Sequence, residues 1–269
     1  MNKLLILICC VSLLTLSCFA NADKEIKPVP PKGSWTKKSV YKCMKATCEI
    51  TLDGRVDEAA WKNAVVIPNL WQANFWYYGS GKDVKGFWTT QKTKVRLLYD
   101  EKYVYISAEM EDTDLLAMTT TDDAEFKYDG TDDLLEIFFQ PDNKKPGYYE
   151  FHVSPSNCTR DIYYPRRFGG HHTRFIDYAS GMETAVSLDG TLNNWHDTDI
   201  GWSVEVRIPW NGMTENGPVP KPGDRWKFNI CRYNFAVQLP YGNELGQLFW
   251  SDRISFHQYE EYPWIEFVK

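Results

Sequence analysis

The chain has 269 residues, of which 43% are hydrophobic and 25% charged, the ordinary balance of a globular protein. Its formal net charge of -6 and its scattered lysines and arginines argue against a nucleic-acid partner, because phosphate binding needs clustered basic side chains. Aromatic residues are frequent, at 15% with 11 Trp and 16 Tyr, and exposed rings of this kind stack on pyranose sugars.

The first 22 residues predict an export signal. Lys3 gives the positive start, residues 4–16 the apolar stretch, and Ala20-Asn21-Ala22 the small-x-small cleavage pattern. The alternative is a lipoprotein signal cleaved before Cys18. No later stretch has the ~18 consecutive apolar residues of a membrane span. We therefore expect an exported protein that is periplasmic, extracellular or lipid-anchored.

Residues 23–47 form a predicted N-terminal extension. Its first part, residues 23–41, is rich in Pro and Lys and lacks periodicity, so it is either a tether or a strand along the edge of the domain. The domain proper is expected over residues 48–269. Four cysteines follow the signal, and an even number permits disulfides in an oxidising compartment. Cys43 and Cys48 are the easiest pair by spacing, although spacing alone does not establish the bond.

The first part of the domain combines a turn with a short helix, which Asp57 is expected to cap and whose Trp61 should face inward. Residues 70–88 then form a long aromatic segment broken by glycines, which contains Trp71 and Trp88. It is either a lid or a loop that covers a sheet face.

Short alternating runs separated by turn signals dominate the rest of the chain and predict strands over residues 95–99, 103–110, 201–209, 226–233, 246–250 and 264–268. Residues 154–181 are expected to be irregular. With scarcely a helix-length periodic window, the pattern indicates an all-β fold, an antiparallel β-sandwich with long aromatic loops.

The central strand pair carries the most informative polar residues. Residues 132–141 are apolar apart from Glu136 and the flanking acids, and a buried carboxylate needs either a partner or a pocket. A polar loop and a second alternating run, residues 148–153, predict a hairpin. If Gln140 pairs with Tyr148, Glu136 lies directly across from His152, either as a structural pair or as one wall of a ligand site.

Six segments in order carry a resemblance to a known family: LDGRVDEAAW (52–61), KVRLLYDEKYVYISAEMED (94–112), DDLLEIFFQP (132–141), GTLNNWHDTDIGWSVEVRIPW (190–210), PGDRWKFNICRYN (222–234) and LFWSDRISFH (248–257). Over residues 49–268 the chain resembles the carbohydrate-binding module family 9 domain, in the stand-alone form of exported bacterial proteins. The resemblance implies a β-sandwich of the DOMON-like superfamily that binds sugars without catalysis. In that family a sugar is held between two Trp rings by a strand Glu, an Arg and an Asn, and calcium often braces the fold.

The resemblance assigns the family's strand Glu to Glu136 and its neighbouring-strand Arg to His152. The first clamp Trp falls on Gly130, where Tyr128 is the nearest ring, and the second falls on Phe256. The expected partner is therefore a carbohydrate, an oligosaccharide or a polysaccharide end. The expected carbohydrate-binding residues are Glu136, His152, Phe256, Tyr128, Trp71 and Trp88.

Two other functions stay open at this point. A glycosidase would need two carboxylates across a cleft, and the chain offers Asp132, Asp133, Glu136 and Glu150. The resemblance also extends to haem-binding relatives with axial Met and His ligands, for which Met110 with His152 or His257 are the candidates.

Acidic turns offer the hard oxygen ligands that calcium prefers. The candidate ligands are Asp129, Asp132, Asp197 and Asp199. These turns are either calcium sites or ordinary solvated turns, which have the same composition, and calcium is the cofactor that they would hold.

Overall fold

The computed structural model describes residues 39–73, 88–122, 132–167, 178–215, 217–239, 242–249 and 256–269. Its strands are β1 (Val40–Lys45), β2 (Trp71–Gln72), β3 (Thr93–Tyr99), β4 (Tyr103–Glu111), β5 (Leu134–Gln140), β6 (Tyr148–Val153), β7 (Thr159–Tyr164), β8 (Glu183–Asp189), β9 (Gly201–Pro209), β10 (Arg225–Asn234), β11 (Glu244–Gln247) and β12 (Trp264–Val268). Two short 3₁₀ helices are Ala59–Asn63 and Trp210–Met213. None of the helices in these ranges is long and apolar enough to cross a membrane.

The strands form one hydrogen-bonded sheet in the order β7-β6-β5-β10-β12-β1-β3-β4-β9-β8, with β11 paired to β10 and β2 paired to β11. The sheet folds over, because inward side chains of β5, β6 and β10 share one core with those of β3, β4 and β9. We call β7, β6, β5, β10, β11 and β2 the first half, and its surface away from this core the outer face. The predicted all-β sandwich is confirmed.

Alternation along the strands explains the core. Trp202, Val204, Val206 and Ile208 of β9 all point inward, and so do Trp226 and Phe228 of β10, as the sequence pattern predicts. The predicted hairpin of residues 95–99 and 103–110 is β3 and β4.

The turn and 3₁₀ helix before β2 are fixed by one buried carboxylate. Trp61 is buried as predicted, and its Nε1 donates to Glu205 of β9 at 2.8 Å. Glu205 also accepts the backbone N–H groups of Asp53 at 3.0 Å and Gly54 at 3.1 Å. The expected cap by Asp57 is wrong, because the N-cap position is Glu58 and makes no side-chain capping bond.

Two features of the strand order depart from the sequence expectations. β1 lies inside the sheet and runs parallel to both β12 and β3, so the sheet begins at Val40, ahead of the expected start of the domain at residue 48. β7 lies in the segment that was expected to be irregular, where Pro165 and the charged Arg160 obscure the alternation.

The cysteines in the described ranges are free. Cys43 is buried on β1, while Cys48 is exposed beyond the end of that strand. The easiest pairing by spacing is therefore absent from this structure, because strand β1 directs Cys43 into the core.

Candidate functional site

The predicted register of the central hairpin is confirmed. Phe139 pairs with Tyr149, which places Glu136 directly opposite His152. The row continues on both sides, because His152 pairs with Arg160 of β7 and Glu136 pairs with Cys231 of β10.

Beyond Cys231 the same row includes Gln247 of β11 and Trp71 of β2. Directly paired residues of antiparallel strands project to the same side of the sheet, so all six side chains lie on the outer face. We call this row, Arg160, His152, Glu136, Cys231, Gln247 and Trp71, the polar row.

Two carboxylates and two histidines meet at the centre of the polar row. His152 Nε2 lies 2.6 Å from Glu150 Oε1 and 3.5 Å from Glu136 Oε1. His257 Nδ1 lies 3.5 Å from Glu150 Oε2. Glu136, Glu150 and His152 are buried, so these contacts are shielded from solvent.

The electrostatics of this cluster keep Glu150 ionised. Burial by itself raises the pKa of Glu150, but the charge of His257, the hydrogen bond with His152 and the charge of Arg160 together outweigh it and lower the pKa below its ordinary value. A carboxyl group with a lowered pKa accepts hydrogen bonds well and is a poor proton donor at neutral pH.

Arg160 is the site residue that sequence reasoning missed. Its side chain is only 1% exposed, and its Nε and Nη2 have no hydrogen-bond partner among the described residues. Burying unpaired N–H donors is costly, so these two donors are available to an acceptor outside the described residues, on a ligand or on the rest of the chain. The sequence does contain a signal for this residue, because Arg160, Ile162 and Tyr164 occupy every second position of a short run and would share one face of a strand.

Aromatic side chains cover the rest of the outer face. Phe138, Tyr148, Tyr164, Phe249, Phe256 and Tyr262 form one buried cluster there. The Tyr148 hydroxyl lies 2.9 Å from His257 Nδ1, which connects this cluster to the carboxylates.

Phe256 does not offer the exposed ring that the resemblance implies. Its side chain is 5% exposed, with its ring centroid 5.3 Å from that of Tyr233, and its carbonyl accepts the Tyr262 hydroxyl. The expectation of an exposed ring is wrong, because the apolar outer face draws this ring inward. Tyr128, the other expected clamp ring, lies outside the described residues.

Trp71 and Trp88 are brought together as a stacked pair. Their centroids are 4.0 Å apart with 21° between the ring planes, next to a backbone bridge between the two residues. Trp71 is buried and its Nε1 has no hydrogen-bond partner among the described residues, while Trp88 is half-buried. Trp71 thus ends the polar row, and Trp88 stacks on it from outside the row.

The acidic turns use their carboxylates on backbone N–H groups. Asp132 accepts the amides of Met118 and Thr119, both at 2.8 Å, and Asp199 accepts those of Leu115 and Thr191, both at 2.7 Å. Asp197 accepts the Thr191 hydroxyl, and Asp129 lies outside the described residues. The amides account for the placement of Asp132 and Asp199, and calcium at these turns stays a prediction.

The haem ligands considered above do not face one another. Met110 packs in the core shared by the two halves of the sheet, whereas His152 and His257 contact Glu150 on the outer face. Since the first half of the sheet separates Met110 from both histidines, ligation of one haem by Met and His at these positions is wrong.

A cleft of about 460 Å³ lies elsewhere, along β4, β8 and β9. Lys92, Lys94, Glu109 and Asp189 are among its charged lining residues, and none of the expected carbohydrate-binding residues that the structure describes lines it. The cleft is therefore separate from the polar row, none of whose residues lines it.

Comparisons with known proteins point the same way as the geometry. A profile of the carbohydrate family 9 binding domain-like family matches residues 52–236. One similar solved structure is a family 9 carbohydrate-binding module from Caldicellulosiruptor kristjanssonii in complex with cellotriose, at 14% identity and a TM-score of 0.53, covering 86% of this chain and 94% of that one. Another is a candidate carbohydrate-binding protein from Bacteroides uniformis, at 15% identity and a TM-score of 0.60, covering 86% and 99%. No curated protein sequence matches the chain.

Proposed function

The chain belongs to the carbohydrate family 9 binding domain-like family, and we propose that it is an exported, non-catalytic protein that binds a sugar or glycan end during polysaccharide breakdown. The observation that carries the proposal is the polar row with its cluster of Glu136, Glu150 and His152. Sugar hydroxyls both donate and accept hydrogen bonds, and this cluster presents carboxylate acceptors beside the guanidinium donors of Arg160.

The aromatic cluster supports the same ligand class. A sugar ring has apolar C–H faces and polar edges, so it fits a site with aromatic walls and a few polar groups. On the outer face Tyr148 and Trp71 are themselves buried, and the half-buried rings beside them are Tyr259, which contacts Tyr148, and Trp88, which stacks on Trp71.

In this proposal Arg160 takes the place of the family's Arg. The resemblance assigns that Arg to His152, and Arg160 is paired with His152 on the next strand outward. The guanidinium is thus displaced by one strand and still faces the same cluster, which keeps a planar fork of donors in the site.

The lowered pKa of Glu150 supports a binding role for this residue, because an ionised carboxylate accepts hydrogen bonds from sugar hydroxyls. One oxygen of Glu136 and one of Glu150 both lie close to His152 Nε2. A polar atom from each of these three side chains lies within 4.8 Å of the other two. A glycosidase needs one carboxylic acid with a raised pKa to protonate the leaving oxygen, and the lowered pKa of Glu150 is the opposite. Glu150 is therefore a hydrogen-bond acceptor in this proposal.

The test is a glycan array followed by isothermal titration of each glycan that binds, with glucose and cellotriose included. Glu136→Gln should weaken binding about tenfold or more, because it removes the charged acceptor while keeping the shape of the side chain. Arg160→Met should weaken binding to a similar degree.

The matched control is Glu205→Gln, which changes a buried Glu of β9 that lies away from the outer face. We expect this variant to keep full affinity. Equal loss of affinity in Glu205→Gln and Glu136→Gln would mean that destabilisation explains both, and unchanged affinity in Glu136→Gln would contradict the proposed site.

A further inference from the structure

Trp195 is an exposed aromatic residue that the polar row does not include. It lies in the β8–β9 connection with 65% of its surface exposed, which is unusual for the largest side chain. Its ring centroid lies 3.8 Å from that of His196, so the indole rests against a neighbour instead of projecting freely.

A pocket of about 320 Å³ lies beside Trp195. Its walls are mostly apolar, with Leu116, Phe235 and Val237 from two other loops, and Asp114 and Asn193 add polar groups. This volume is at the lower end of small-molecule sites and is suited to a single ring rather than a large cofactor.

Asn193 makes three of the hydrogen bonds that fix the Trp195 loop, the β8–β9 connection, to the β4–β5 connection. Asn193 donates its backbone N–H to the carbonyl of Leu115 at 2.7 Å, and its side chain both accepts from and donates to the backbone of Ala117, at 2.9 and 2.8 Å. The loop after β10, which contains Phe235 and Val237, is held to the β4–β5 connection as well. Asp133 accepts the amide of Phe235 at 2.7 Å, and Asp114 accepts that of Val237 at 3.2 Å. A pocket whose walls are held in this way is preorganised, which lowers the entropy cost of binding.

A line of rings connects this pocket to the outer face. The ring of Phe256 contacts that of Tyr233, and the rings of Tyr233 and Phe235 are nearly parallel, at 16° with centroids 6.2 Å apart. Phe235 lines the Trp195 pocket, while Cys231, four residues earlier in the chain, is paired with Glu136. At about 3.3 Å per residue the pocket lies roughly 13 Å along the strand from the centre of the polar row.

We propose that the Trp195 pocket is a second sugar subsite, so that the ligand is an oligosaccharide or polysaccharide chain that runs from the polar row along β10 and stacks a distal pyranose on the Trp195 indole. The proposal rests on the proposed function and adds a second binding position, at which a pyranose distant from the polar row stacks on Trp195. The exposed indole face gives the C–H stacking surface, and the half-buried rings of Tyr233 and Phe235 line the path between the two sites.

The test compares Trp195→Ala with the wild type by isothermal titration against cello-, xylo- and manno-oligosaccharides of one, three and six units. Trp195→Ala should bind the hexasaccharide of the preferred series about tenfold more weakly and the monosaccharide with unchanged affinity. Glu136→Gln should weaken binding at every length. Trp195→Phe, which keeps a ring, should recover most of the affinity for the hexasaccharide.

Ile200→Ala is the matched control, since Ile200 is 68% exposed in the same connection but lines the separate cleft of β4, β8 and β9. It should bind every length like the wild type. Equal affinity of Trp195→Ala and wild type for the hexasaccharide would overturn the subsite while leaving the proposed function intact. A wild-type protein that binds no member of the panel would contradict both.

Discussion

Glu150→Gln tests whether the cluster under the polar row is held together by charge. The substitution keeps the shape of the side chain but removes the negative charge that faces His152 at 2.6 Å, His257 at 3.5 Å and the buried Arg160. Removing one partner of a buried ion pair, here the carboxylate that faces the Arg160 guanidinium, costs about 3–5 kcal/mol, and we take about 3 kcal/mol because Gln still accepts a hydrogen bond. For a domain of this size that corresponds to a fall of roughly 6–12 °C in melting temperature.

The assay is thermal unfolding at neutral pH, repeated at acid pH. Because the folded-state pKa of Glu150 is lowered, its contribution is present above the ordinary pKa of a Glu and is lost as the pH falls through the folded-state value. The wild type should therefore lose more stability on acidification than Glu150→Gln.

The control for this prediction is Glu183→Gln, which removes an ion pair with Arg207 on the surface, where the Glu183 side chain is 52% exposed. It should cost less than about 1 kcal/mol. If Glu150→Gln melted within about 2 °C of the wild type at neutral pH, the charge of Glu150 would not stabilise the cluster and the reasoning would be refuted.

Three further predictions concern stability. Glu205→Ala should cost about 3 kcal/mol in urea unfolding, because three N–H donors lose their acceptor, whereas Ser203→Ala, which loses one bond, should cost about 1 kcal/mol. Gly54→Ala should destabilise the protein more than Gly223→Ala by the same assay. Both glycines have positive φ, so the backbone strain is similar. An added Cβ at Gly54 would lie 2.4 Å from the Val186 carbonyl carbon, whereas one at Gly223 would meet nothing within 4 Å. If calcium braces the acidic turns, excess chelator should lower the melting temperature by several degrees, and an unchanged melting curve would contradict that site.

The parts of the site that the sequence predicted depend on short-range pattern. The register that places Glu136 across from His152 follows from a seven-residue loop between an apolar run and an alternating run, which lie next to each other in the chain. Arg160 could not be assigned in the same way, because its place opposite His152 depends on a strand that Pro165 and the charged residues obscure.

The expected aromatic site required rings that are exposed to solvent, and short-range sequence pattern does not determine the exposure of a ring. Phe256 follows the strand segment as the resemblance implies, yet it is buried because the apolar outer face, formed by residues such as Phe138 and Tyr262, packs against it. Trp195 lies in the segment 190–210 that resembles the family, but only the arrangement of three loops leaves its ring exposed beside a pocket.

The sequence by itself determined the all-β class, the inward faces of β9 and β10, and the central Glu136–His152 pair, since period-two alternation and turn length fix all three locally. Only the tertiary structure decided which side chains share the outer face. The polar row joins residues from Trp71 to Gln247, and residues so distant in the chain meet only when β2, β11, β10, β5, β6 and β7 pair in that order. Strand order is set by long-range hydrogen bonding and core packing, which no local stretch of sequence encodes.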